Sequence, residues 1–143
     1  MRAEVAARKI AQAEVFVADA SRLLSTPAEA FSADVSCRDL AAFYLMLAVQ
    51  ECVDLASHWI ADAGWPVADD SAGCFDVLAD RGAIPRELAS AMRGCVGIRN
   101  RIAHGYVSVD HRRLHDEAPV GLAAIRAFLA AAAGNVDLPP STG

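Results

Sequence analysis

Three side chains suited to chemistry on a phosphate stand close together in this 143-residue chain: Arg99, His104 and Tyr106, in the run Val96-Gly97-Ile98-Arg99-Asn100-Arg101-Ile102-Ala103-His104-Gly105-Tyr106. Histidine is the residue type whose ordinary proton affinity lies near neutral pH, so His104 can serve as a general acid or base. A guanidinium held near it can stabilise negative charge that gathers on oxygen. With twelve arginines, four histidines and two tyrosines among 143 residues, about 0.34 Arg-x4-His matches arise by chance, and about 0.005 when x-Tyr is added. The pattern calls for an explanation other than accident.

The element that must position these residues is a helix. Pro85 suits its first position, and Leu88, Met92, Cys95, Val96 and Ile102 form its apolar stripe. Arg99 falls on that stripe, where a guanidinium is costly unless it finds a partner. Five steps of 100° place His104 about 140° from Arg99 around a regular helix, so the two heads converge only if the helix loosens or ends between them. Gly105 is a natural place for an ending.

The surrounding charge is uneven. The chain carries a net charge of -5, yet Arg81 to Arg113 holds seven arginines against Glu87 and Asp110, which gives 7 - 2 = +5. Twelve of the 13 cations are arginine, whose planar fork suits phosphate oxygens. When charge is considered alone, solvated helix faces are the better explanation of the clustering, so something more specific must decide.

Other features predict the scaffold. Alanine supplies 31 of the hydrophobic residues, aromatics are 6% and threonine occurs twice, which favours packed helices over sheet. Apolar spacing predicts a first helix from Ala3 to Leu24, then a connection to Ser36 with room for a short helical turn. A long, nearly all-apolar helix follows from Ser36 to about Ala63, with Ser36 and Asp39 as a capping box and Gly64 as its stop. A short helix through Asp80 comes next, ended by Gly82, then the helix from Pro85. A last helix is capped by Asp110 and interrupted by Pro119. The expectation is an all-α, up-and-down bundle of four to five antiparallel helices, one domain over residues 1–134 with a loose tail at 135–143. The longest run without a charged residue, Leu40 to Gln50, is eleven positions, against roughly 20 for a bilayer crossing. No membrane span is expected. Charges at Glu4, Arg8, Lys9 and Glu14 break any secretory signal, so a cytoplasmic location is expected. Cys37, Cys52, Cys74 and Cys95 have no C-x-x-C spacing and read as buried reduced thiols.

On Arg99, His104 and Tyr106 the sequence resembles the HEPN superfamily, specifically its HepT-like toxin branch, whose signature is Arg-x4-His-x-Tyr. The likeness runs from about Phe43 to Phe128. Tyr44 to His58 resembles the family's long helix, Phe75 to Leu88 its Phe-x-x-Leu and Ile-Pro segment, and Gly97 to Asp110 its motif and following turn. The resemblance implies a metal-independent endoribonuclease toxin with no cofactor, active as a homodimer whose two motifs line one cleft, and neutralised by an MntA-like nucleotidyltransferase. Arg99 and His104 would be catalytic, and Asn100 and Arg101 would hold neighbouring phosphates of the RNA. Tyr106 would either orient substrate or, as the HepT branch implies, accept AMP from the antitoxin. The alternative is a non-catalytic module that docks a nucleotidyltransferase or a nucleotide.

Two further groups of polar residues have chemistry-bearing spacing. His111 and His115 have i, i+4 spacing, but they lack a third metal ligand and stand beside Arg112 and Arg113, so no metal site is expected. Glu51, Asp54, His58 and Asp62 form a polar stripe on the long helix. It reads either as a solvent edge or as the place from which Asp54 or Glu51 holds Arg99 or His104.

Overall fold

The structure, a computed structural model, describes residues 1–105 and 109–136. Among these the regular elements are α1 (Ala3–Leu24), α2 (Ala28–Ala33), α3 (Val35–Ala63), α4 (Gly73–Asp80), α5 (Arg86–Gly105) and α6 (His111–Ala133), with no strand. The all-α expectation holds. Six helices replace the expected four to five because the connection after Pro27 closes into α2, whose Phe31 is fully buried.

Local chemistry sets the helix ends. Asp34, and not Ser36, caps α3: its carboxylate accepts the Cys37 N–H at 3.0 Å, which also places negative charge at the positive end of the helix. Gly64 ends α3 in the left-handed region, at φ 70°, where a side chain would be strained. Asp110 caps α6 as expected, accepting the N–H groups of Arg112 and Arg113, each at 3.1 Å. Pro119 does not split α6. It removes one backbone donor, and the buried Leu114, Ala118, Leu122 and Ile125 on either side of it hold the helix to the core.

α3 is the central element and touches every other helix. Its length and composition are those of a helix apolar enough to cross a membrane, contrary to the sequence expectation, which counted only residues without any charge. Half of its most apolar stretch is buried against the rest of the bundle, so that apolarity is used in packing. Alanines bury fully at Ala41, Ala42, Ala48 and Ala56, and small side chains let neighbouring helices approach closely. At the far end of the bundle the Phe128 ring lies 5.1 Å from Phe75, edge-on, and 6.3 Å from Trp59. No polar or charged residue is buried among the described residues.

All four cysteines are reduced, and three are buried. Burial pushes the Cys95 thiol up to about 11 and raises Cys52 further, with Cys95 and Glu51 adding to the rise at Cys52. Neither is set up as a nucleophile. Of the predicted tail, Asn135 and Val136 fold back on the end of α6, and Asn135 C=O accepts from the Met1 ammonium at 3.3 Å. The remaining tail residues, 137–143, lie outside the described residues.

Candidate active site

α5 brings the motif to the end of the bundle beside the start of α6. The helix stays regular through Gly105, so the loosening that would bring Arg99 and His104 together within one chain does not occur. They remain about 140° apart around the axis. Tyr106 lies outside the described residues.

Arg99 is half-buried and faces α3. Its Nη1 donates to Gln50 Oε1 at 2.5 Å, and its Nε is buried with no hydrogen-bond partner among the described residues. Gln50 Nε2 donates in turn to Asp54 Oδ1 at 3.2 Å. Asp54 Oδ2 accepts from Lys9 Nζ of α1 at 3.4 Å, and the same ammonium lies 3.6 Å from Glu51. Asp54 therefore reaches Arg99 through an amide, and Glu51 points its charge at Lys9. The sequence reading missed Gln50. Its one signal was its place four residues before Asp54 on the polar stripe, at the end of an otherwise apolar run.

His104 is exposed. It lines a recess of about 390 Å³ between the end of α5 and the start of α6, together with Asn100, Arg101, Gly105, Asp110 and Arg113. Two of these were not singled out by sequence: Arg113, and Asp110 in any role beyond its cap. The recess is less positive than the sequence sum suggested. Glu117 accepts from Arg101 Nη2 and Arg113 Nε, each at 2.7 Å. These contacts, the Arg113 bond first, hold the Glu117 carboxyl below the usual range. Further up α5, Arg93 pairs with Asp76 at 2.5 Å and Arg86 with Asp80 and Asp76. Three acids just outside the Arg81 to Arg113 window thus engage four of its seven arginines.

The histidine pair of α6 divides between two tasks. His115 Nε2 bonds the Thr26 carbonyl at 2.7 Å and its ring lies 5.0 Å from Phe31, which pins α2 to α6. His111, at the first turn of α6, has its imidazole pushed below the ordinary value by burial and by the nearby Arg38, against opposing pulls from Asp39 and Asp110. No cluster of potential metal ligands occurs among the described residues.

Next to this site lies an apolar recess of about 510 Å³, lined by Asp39, Phe43 and Met46 of α3 and by Ile102 and Ala103 of α5. Leu40 and Phe43 are 44% and 48% exposed, high values for large apolar side chains on one helix face. Arg99 is one helical turn from Ala103, so the recess and the Arg99–Gln50 contact belong to one α3–α5 seam.

Comparison with known proteins places this chain in a family. A family profile described as Ribonuclease HepT-like matches residues 13–132. A relative from Archaeoglobus fulgidus, provisionally named RNase, is 33% identical over 69 residues, 48% of this chain and 52% of the relative, so the match spans about half of that protein. Among solved structures, a tri-AMPylated Shewanella oneidensis HEPN toxin in complex with MNT antitoxin superposes with a TM-score of 0.81, 20% identity and coverage of 92% of this chain and 98% of that one. A toxin–antitoxin structure with AMP-PNP gives a TM-score of 0.79, 18% identity and coverage of 92% and 99%. At such identities the likeness establishes the shared helical fold.

Proposed function

Given that this chain belongs to the HepT-like ribonuclease family, we propose that it is the toxin of a toxin–antitoxin pair and cuts RNA without a metal ion. The observation that carries the reading is the exposed imidazole of His104 in a recess where Asn100, Arg101 and Arg113 can meet phosphate, while Asp110 spends its carboxylate on the first turn of α6. In the reaction the 2′-oxygen loses its proton and attacks phosphorus, closing a 2′,3′-cyclic phosphate. The bond to the 5′-oxygen breaks, and that oxygen leaves with a proton. His104 moves a proton at one of these oxygens. Arg99 stabilises the charge on the phosphorus oxygens, and donors of this kind are worth roughly 3 kcal/mol in preorganised sites. Asn100 and Arg101 hold adjoining phosphates, and Asp54 supports Arg99 from behind.

The working unit is a homodimer with the two motifs in one cleft. A regular α5 keeps the two heads of a single chain apart, and the exposed Leu40 and Phe43 beside the α3–α5 recess fit a second copy. The catalytic domain covers residues 1–134, and it works in the cytoplasm with no cofactor. The partner is an MntA-like nucleotidyltransferase, and Tyr106 is the AMP acceptor. An adenylyl phosphate at Tyr106 would add negative charge near the groups that bind RNA phosphate. Coexpression with such an enzyme raises the mass of the wild type by whole AMP units and leaves Tyr106→Phe unchanged; an unmodified wild type rejects this regulation.

Purified protein incubated with RNA in EDTA tests the activity. The wild type cuts and His104→Ala does not. Undiminished cutting by His104→Ala refutes the assignment, and partner or nucleotide binding without any cutting supports the non-catalytic module.

A further inference from the structure

Arg99 meets a neutral acceptor. A half-buried guanidinium is normally matched by a carboxylate, and the resulting pair has little charge left for a third group. Here the atom facing Arg99 Nη1 is the amide oxygen of Gln50, at 2.5 Å. The acids of the stripe are set one step back: Asp54 accepts from the other end of the amide at 3.2 Å, and Lys9 lies 3.4 Å from Asp54 and 3.6 Å from Glu51. The two cations and two carboxylates sum to zero, but their order leaves Arg99 without a contacting anion among the described residues. The contact to Asp54 fixes the amide's orientation, since only its NH2 end can donate to a carboxylate and its oxygen must then face Arg99. Bonds in series polarise one another, so the Asp54 charge strengthens the amide oxygen as an acceptor without neutralising the guanidinium. Arg99 Nε is buried with no partner among the described residues, which leaves a donor unsatisfied there.

From this arrangement, and resting on the ribonuclease reading above, we infer that Gln50 is a positioning residue that holds Arg99 in place while keeping its charge available to an RNA phosphate, with Asp54 orienting the amide. A phosphate bound at Arg99 is then the first full negative charge the guanidinium contacts. The residue type at position 50 is decisive, because a carboxylate of the same length would hold Arg99 equally well and cancel it.

Gln50→Glu preserves size and hydrogen-bond reach, and its melting temperature checks that the fold is kept. Two readouts separate this inference from the activity it rests on. In cleavage, kcat falls on the order of a hundredfold in Gln50→Glu, the scale of losing one preorganised donor, with a smaller change in KM. Affinity for a 2′-O-methyl oligoribonucleotide, which binds but cannot form the cyclic phosphate, falls about tenfold, and the fall shrinks at high salt. Gln50→Leu, which removes the acceptor without adding charge, loses kcat while retaining more affinity than Gln50→Glu. Wild-type kcat and affinity in a folded Gln50→Glu overturn the inference. A wild type that binds the oligonucleotide in a Gln50-dependent way but cuts no RNA removes the ribonuclease reading and leaves the positioning role standing. A wild type that neither binds nor cuts removes both.

Discussion

Arg99 and His111 show how far a single side chain departs from what its type suggests. A guanidinium on an apolar stripe needs a partner, and that requirement was readable from the stripe; which partner met it was not, because Gln50 lies 49 positions away and reaches Arg99 only through the packing of α3 on α5. His104 was readable as a candidate acid or base from its type and its spacing to Arg99, but the expected loosening before Gly105 did not occur, because α5 stays helical through that residue. His111 was not readable at all, since its environment comes from Arg38 and Asp39 on another helix. Burial and then the Arg38 charge push its imidazole below the ordinary value, so the folded state takes up a proton less readily than the unfolded chain. Its contribution to stability is therefore fully present above the unfolded value near pH ~6.5 and is lost as pH falls from there through the lower folded value. Thermal melts from pH 7.5 down to about pH 5 check this. The wild type loses melting temperature more steeply than His111→Gln, and parallel curves contradict the sign.

Between elements, the α5–α6 junction matters most, because Glu117 of α6 ties Arg101 of α5 to Arg113 of its own helix. The helices themselves were largely legible: the spacing over Ala3–Leu24 matches α1, and Asp110 caps α6. Errors arose where two local signals competed. Ser36 and Asp34 both suit a helix start, and the aspartate with its charge took the position. Pro119 weakens a helix, and buried neighbours kept it whole. The local charge of +5 failed for a different reason, as a sequence window ignores acids that fold back onto it. Exposed ion pairs of this kind contribute little stability, on the order of 0–1 kcal/mol, so their main effect here is on what the recess attracts. Glu117→Gln releases both arginines and removes one negative charge. It tightens binding of the 2′-O-methyl oligonucleotide by about threefold or more at low salt and steepens the salt dependence. Weaker binding in that variant contradicts a phosphate role for Arg101 and Arg113.

At the level of the whole molecule, one chain presents an exposed apolar seam and an arginine that its own histidine does not meet. The proposed second copy, seated on the α3 face, would answer both. Phe43→Asp places a charge in the middle of that seam, at a position 48% exposed and therefore tolerant of the change in the folded monomer. Light scattering finds the wild type at about twice 15.1 kDa and the variant near 15.1 kDa, with RNA cutting lost alongside the dimer. A monomeric wild type, or a monomeric variant that cuts normally, removes the shared cleft. The central claim, metal-independent transesterification by Arg99 and His104, is tested most directly by analysing the ends of RNA exposed to the protein in EDTA. The account predicts 2′,3′-cyclic phosphate ends from the wild type and none from Arg99→Ala or His104→Ala, whereas 3′-hydroxyl ends, or cyclic ends made equally well by either variant, would contradict it.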